Sequence, residues 1–213
     1  MGKGEHGGEH GGHLGAVYAA EGPEQVAQGY DAWAESYEAD MGRAGYRHPA
    51  VVLALLARHL PAGAAPLLDA GCGTGLVGEW LGIVGYGAVD GLDLSEGMLA
   101  VAARKGVYRS LHRAALGGPL PFADGAYAGI VSAGVFTTGH VGAEALPEIA
   151  RICVPGGVFV VTVKSTLWDD AFRDRAAEAG LALAEATAPY VSMPGEAATV
   201  PSLAAVFRRG EGV

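Results

Sequence analysis

The chain has 213 residues, half of them hydrophobic, and a formal net charge of −9. That length suits one α/β domain with a helical addition. The acidic balance and the scattered basic residues, with Arg208-Arg209 the densest pair, argue against DNA, RNA and acidic membranes as partners. No apolar run of about 18 residues appears, and no basic stretch leads into an apolar one at the N-terminus. The two cysteines, Cys72 and Cys153, are too few for a disulfide framework and fit no metal-ligand spacing. A soluble, cytoplasmic protein is expected.

In chain order, "MGKGEHGGEHGGHLG" (1–15) has almost nothing to bury. Residues 1–22 are therefore expected to be a disordered Gly/His-rich tail. His6, His10 and His13 could catch a transition metal, but a solvated tail is the plainer reading and no metal is expected. Residues 23–213 are read as one domain, with 23–62 as a helical lid. Residues 24–60 read helical. Tyr30, Trp33, Tyr37 and Met41 fall at helical spacings and share a face. Gly42, Gly45 and Pro49 break the pattern, and "AVVLALLARHL" forms a further helix that stops at Pro61. The aromatic stripe suits either core or the lid of a pocket.

From Ala65 the chain alternates. The strand signals are "PLLDA", "GAVDGLD", "VYRSLHR", "YAGIVSAG" and "GVFVVTVK", with helical patterns at 76–84, 96–104 and 143–153. Such alternation predicts a parallel sheet with helices on both faces. The unbroken apolar run "GVFVVTV" fits a strand buried on both faces. A polar helix at 169–179 comes next. "LALAEATA" and "SLAAVFRR" then form a closing antiparallel pair across a loop holding Pro194 and Pro201.

The loop "LLDAGCGTGLVG" (67–78) contains two glycine patterns at once. Gly71, Gly73 and Gly75 read as GxGxG behind Asp69. Gly73, Gly75 and Gly78 read as GxGxxG, the dinucleotide fingerprint. Either loop joins the first strand to the first helix of the sheet, with glycine where backbone approaches a ligand or φ turns positive. If Gly73 opened the loop, Asp69 would lie inside a buried strand, where an unpaired charge is costly. If Gly71 opens it, Asp69 lies at the strand's C-terminal end, the ligand edge of an open α/β sheet. There it can face the α-ammonium of S-adenosylmethionine (SAM), whereas an anionic pyrophosphate would be repelled. Asp93 ends the second strand and can accept both ribose hydroxyls, as in SAM and NAD sites alike. Leu94 and Met98 are spaced to sandwich an adenine, and Ser95 is placed to cap the next helix. The chain has neither a Tyr-x-x-x-Lys pair nor a GxxxxGK[ST] loop, which disfavours an NAD oxidoreductase and an ATPase.

Taken in order, "LLDAGCGTG", "VDGLDLSEGML", "LPFADGAYAGIVSAGVF" and "ARICVPGGVFVVTV" resemble the motif set of class I SAM-dependent methyltransferases. The upstream "YDAWAESYEADM" is similar to the opening helix of the ubiquinone/menaquinone-type, small-molecule branch. With "GYRHP" and "DAGCGTGLVGEWL" it resembles the methyltransferase-like group of the Williams–Beuren chromosome region and its bacterial relatives. The resemblance covers roughly residues 26–164. It implies a Rossmann-like, seven-stranded, mostly parallel sheet whose last strand is antiparallel, with N-terminal helices added. It also implies that Asp69, Gly71, Cys72 and Gly73 hold the methionine part of SAM. Asp93 would hold the ribose, and Leu94 and Met98 would flank the adenine. Ala133 or Gly134 would meet the cofactor near its methyl, and Tyr37 would close over it. Many relatives carry an Asp after the third strand. Here that place reads "HRAALGGPLPF", so backbone at Ala115 and Leu116 would read the adenine.

Methyl transfer from SAM is an in-line displacement that alignment and desolvation promote. A metal is not required, and S-adenosylhomocysteine is the product. A hydroxyl acceptor needs a base. His140, on the loop leaving the fourth strand, is the first candidate for it, with His48 in "GYRHP" second. Cys72 is read as chemically inert. Tyr30, Trp33, Tyr37, Phe136, Trp168 and Tyr190 would roof the substrate pocket, which suits a flat or apolar small molecule. The lysine-poor, Ala/Gly/Arg-rich composition points to natural-product tailoring. The sequence thus predicts O- or N-methylation of a small molecule. The alternatives are other chemistry on the same SAM-binding fold, or a non-catalytic regulator. Oligomeric state and acceptor atom are not legible.

Overall fold

A computed structural model of the chain describes residues 12–20, 22–137, 140–196 and 199–211. Seven strands form one sheet: β1 (Leu67–Ala70), β2 (Val89–Asp93), β3 (Ser110–Arg113), β4 (Tyr127–Phe136), β5 (Cys153–Lys164), β6 (Leu181–Ala186) and β7 (Ser202–Arg209). Their order is β3-β2-β1-β4-β5-β7-β6. The first five pair in parallel, and β7 runs antiparallel to both β5 and β6. The sheet and its closing antiparallel pair match the sequence expectation.

Alternate side chains of the strands supply two cores. On one face Leu68, Phe159 and Val161 pack with α7 (Leu146–Ile152) and α8 (Asp170–Glu178). On the other, Leu67, Val158 and Val160 pack with α4 (His48–His59) and α5 (Leu76–Ile83). Both faces of β5 are therefore covered, which is why its sequence is apolar without a break. Strand order reverses between β1 and β4, and the crevice outside their C-terminal ends is where an open α/β sheet holds ligands.

The N-terminal helices differ from the sequence reading. Part of the expected tail, Gly12–Tyr18, is helix α1, and Val17 is buried with Trp33 and Met41. His13 stacks on Trp33 at 5.9 Å. His6 and His10 lie outside the described residues. The expected aromatic helix is two helices, α2 (Pro23–Trp33) and α3 (Tyr37–Ala44). The indole N–H of Trp33 donates to Asp40 Oδ2 at 2.6 Å across the break, so the aromatic stripe stays together although the helix does not. Gly45 ends α3 in the left-handed region. Gly42 lies within α3, and Pro49 is in the first turn of α4, where proline starts a helix rather than breaking it. Among the described residues no helix is long and apolar enough to cross a membrane.

The predicted helix at 143–153 begins as a 3-10 turn, Ala143–Ala145, before α7. Ser95 caps α6 (Glu96–Lys105) as expected, accepting from the Met98 N–H at 3.0 Å.

Candidate active site

A cavity of about 410 Å³ opens at the switch point. Its floor includes Gly71, Gly73, Asp93, Ala133 and Gly134 from the ends of β1, β2 and β4. Leu94, Met98, Ala115 and Leu116 line one wall, and Tyr30, Tyr37 and His140 close over another part. Most of the predicted cofactor residues are thus brought together although they span β1 to β4. Asp69 and Cys72 do not line the cavity. Trp33 and Phe136 line a smaller chamber behind it. Trp168 lines neither: it packs on Phe172 and Phe207 in the core.

The glycines of the two registers are placed differently. Gly71 (φ 80°) and Gly73 (φ 53°) both face the cavity. A Cβ on Gly73 would meet nothing within 4 Å, so bare backbone is presented to the cleft. Gly78, the last glycine of the dinucleotide pattern, does another job. A Cβ there would lie 2.4 Å from the Tyr108 ring. Gly75 is also close to Tyr108. Tyr108 crossing α5 accounts for glycine at position 78.

Tyr108 crosses α5 to reach Asp69, its hydroxyl donating to Oδ2 at 2.7 Å. Asp69 is fully buried within β1, opposite Gly91 and Val131. The objection that a buried strand cannot hold this acid therefore fails, because Tyr108 supplies a partner that sequence does not reveal. Its other oxygen, Oδ1, has no partner. Burial, opposed by the Tyr108 bond, pushes the carboxyl up to about 7. Cys72 is also buried, its thiol over the Gly73 carbonyl at 3.7 Å, and burial raises its pKa. That agrees with its reading as inert.

Asp93 ties the floor together. Its Oδ2 accepts from the Gly73 N–H at 2.8 Å and its Oδ1 from the Ser95 N–H at 2.9 Å. Each carboxylate oxygen has further lone pairs for a diol in the cavity. Burial raises the Asp93 pKa, and the N–H donors oppose this.

The roof depends on Asp31, which sequence reasoning missed. Asp31 Oδ1 accepts from Ser95 Oγ at 2.5 Å and from the Gly97 N–H at 2.8 Å, fastening α2 to the start of α6. A Cβ on Gly97 would fall 2.9 Å from Asp31 Cα. This gives a test with a diagnostic sign. In an ordinary helix Gly→Ala stabilises by about 1 kcal/mol. Here Gly97→Ala should instead destabilise, by about 1–3 kcal/mol as in overpacking, and weaken ligand retention. Thermal unfolding measures the first effect. A Tm at or above wild type would show that α2 does not press on α6.

His140 is held differently from expectation. Its Nε2 lies 3.1 Å from the Val17 carbonyl and its ring stacks on Tyr18 at 5.6 Å. The imidazole therefore fastens α1 to the loop after β4. A carbonyl only accepts, so Nε2 carries the proton and Nδ1 keeps its lone pair. Burial lowers the His140 pKa, and the Val17 bond opposes this. His48, the second candidate base, lies in the smaller chamber with Nδ1 2.7 Å from the Tyr190 hydroxyl. Among the described residues no cluster of three metal-binding side chains occurs.

Residues 68–161 match the protein family described as "Methyltransferase domain". The chain is 36% identical over 155 residues to human methyltransferase-like protein 27, covering 70% of this chain and 63% of that one. It is 36% identical over 125 residues to a Streptomyces fradiae dTDP-3-amino-3,6-dideoxy-alpha-D-glucopyranose N,N-dimethyltransferase, covering 56% of this chain and 47% of that one. The aligned part thus spans less than two thirds of either relative. Among solved structures, a TehB-like SAM-dependent methyltransferase from Corynebacterium glutamicum superposes with a TM-score of 0.62 at 25% identity, over 84% of this chain and 97% of that one. The match to the methyltransferase-domain family thus covers β1 to β5, and the fold is Rossmann-like, with one antiparallel strand in an otherwise parallel sheet.

Proposed function

We propose that the protein is a SAM-dependent methyltransferase acting on a small molecule, by O- or N-methylation, in the small-molecule branch that its motifs resemble. The observation that carries this reading is the cavity floor. Gly71 and Gly73 present backbone to the cleft, and Asp93 stands beside them with lone pairs to spare. SAM, when bound, would supply an electrophilic methyl group. Asp93 would hold its ribose, Leu94 and Met98 its adenine, and the Gly71–Gly73 backbone its methionine part. Asp69, buried below the loop with one oxygen free, would set the negative potential under that part.

Tyr30 and Tyr37 line the cleft together with Gly134 and would shield a bound ligand from water there. Exclusion of water strengthens every polar contact inside. With its Nε2 bonded to the Val17 carbonyl, His140 would use the Nδ1 lone pair to take a proton from a hydroxyl acceptor. The helices at 23–62 serve as the lid, and the enzyme is read as cytoplasmic. The sugar N,N-dimethyltransferase from Streptomyces fradiae supports a role in natural-product tailoring.

Calorimetric titration with SAM, S-adenosylhomocysteine and NADH tests the cofactor. Binding of the first two and not NADH is expected, followed by release of S-adenosylhomocysteine with the right acceptor. Binding of NADH alone would end this reading. Product formation without S-adenosylhomocysteine would instead favour other chemistry on the same fold.

A further inference from the structure

Behind the main cavity lies a chamber of about 30 Å³. The two share Tyr30, Tyr37 and Gly134 as lining residues, so they meet at the end of β4. A cavity of this size has room for about two water-sized atoms. Its wall is rich in hydroxyls and holds a histidine and a lysine, and among the described lining residues none is acidic.

Lys164 is its central feature. It is the last residue of β5 and only 9% exposed. Its Nζ donates to the Val200 carbonyl at 2.9 Å, which among the described residues leaves two of its three donors unspent. Among the described residues no carboxylate forms an ion pair with it. A buried ammonium without a counter-charge is costly unless a ligand supplies one.

Two more groups are unsatisfied in the same chamber. Among the described residues, Ser192 Oγ and Ser202 Oγ are buried and have no hydrogen-bond partner. Thr162 Oγ1 accepts from the Gly134 N–H at 2.7 Å, and so ties the chamber wall to the floor of the cleft. His48 stays neutral: burial first, and then the Lys164 charge, push it down to about 3. Among the described residues the chamber therefore carries one positive charge and two unsatisfied hydroxyls, and no acidic side chain.

We propose that this chamber holds the carboxylate of the acceptor substrate, with Lys164 as counter-ion and Ser192 and Ser202 as hydrogen-bond donors. The substrate is then a small carboxylic acid whose body passes between Tyr30 and Tyr37 toward Gly134. About two water-sized positions match the two oxygens of a carboxylate. The proposal rests on the methyltransferase reading for the word acceptor, but the anion site stands on its own residues.

The experiment titrates the full chain with S-adenosylhomocysteine, and separately with acetate, benzoate and benzamide. Benzoate should bind, with benzamide at least tenfold weaker. Lys164→Met should lose at least tenfold in benzoate affinity and keep S-adenosylhomocysteine affinity within about twofold. Without ligand it should also melt higher, by a few degrees, because a buried unpaired charge is gone. A purely structural lysine, needed for its bond to Val200, would lower the Tm instead. Ser202→Ala removes only an unpartnered hydroxyl. It should weaken benzoate several-fold in a protein of unchanged circular dichroism, and it serves if Lys164→Met does not fold. Equal binding of benzoate and benzamide, no binding of either carboxylate, or benzoate affinity indifferent to both substitutions overturns the proposal. Carboxylate binding without S-adenosylhomocysteine binding would remove the methyltransferase reading and leave the anion site. The reverse pattern would do the opposite.

Discussion

Asp93→Ala lowers affinity for S-adenosylhomocysteine by about two to four orders of magnitude. The carboxylate accepts from Gly73 and Ser95 N–H groups, and on the proposed reading it also accepts from a ribose diol. Hydrogen bonds to a charged group contribute roughly 1.5–3 kcal/mol each. Losing the two ribose contacts accounts for most of the effect. The freed Gly73 amide adds to it, because the loop then lacks its anchor. Asp93→Asn separates the two contributions. It keeps the size of the side chain and one acceptor oxygen, but not the charge, so its loss should be intermediate. Titration calorimetry on the three proteins reads this directly. If Asp93→Ala binds as tightly as wild type, the cavity floor is not the cofactor site.

Asp69→Asn makes the ligand-free protein more stable above neutral pH. The Asp69 carboxyl is raised from its ordinary 3.8 to about 7, chiefly by burial. The folded protein therefore keeps a proton that the unfolded chain gives up near pH 4. Between those values the native state binds more protons, so wild-type stability falls as pH rises from about 4 to about 7 and then levels off. The cost at pH 8 is on the order of 4 kcal/mol at most, from the size of the shift. Asparagine cannot ionise and still accepts from Tyr108. The difference between variant and wild type should grow from near zero at pH 4 to its full value by pH 8. Denaturant unfolding across that range checks it. A difference that does not change with pH would mean that Asp69 is ionised throughout and already has a counter-charge. With S-adenosylhomocysteine bound, the order should reverse on the proposed reading, because the α-ammonium favours the ionised acid.

Much of this was legible in the sequence because it is local. The five parallel strands are segments set between helical patterns, and the unbroken apolar run of β5 marks a strand covered on both faces. The closing pair, β6 and β7, showed as two runs across a proline-bearing loop. The floor of the cleft was legible too, since Gly71, Gly73 and Asp93 sit at fixed offsets from strand ends. Leu94 and Met98 were legible from their spacing after Asp93, the resemblance added Ala115 and Leu116, and all four line the cavity.

What stayed hidden are contacts between residues far apart in the chain. Tyr108 on Asp69, Asp31 on Gly97 and His140 on Val17 span 39, 66 and 123 positions. No periodicity records them. The break between α2 and α3 was missed because Trp33 and Tyr37 keep helical spacing on either side of it. The tail reading failed at Gly12–Tyr18 because a glycine-rich segment has little to bury by itself, whereas Val17 has a place to go only once Trp33 and Met41 are assembled.

By itself the sequence determined which segments become strands, which end of the sheet carries the glycine loop, and which acid stands beside it. These follow from the alternation of strand and helix patterns along the chain and from where glycine frees the backbone. Only the tertiary structure decided which glycines meet the cavity and which meet Tyr108, how a buried Asp69 is tolerated, and that Lys164 ends in a chamber with no acidic side chain among the described residues. Those outcomes depend on packing across the sheet, where burial sets the cost of every charge and the neighbour that offsets it comes from a distant part of the chain.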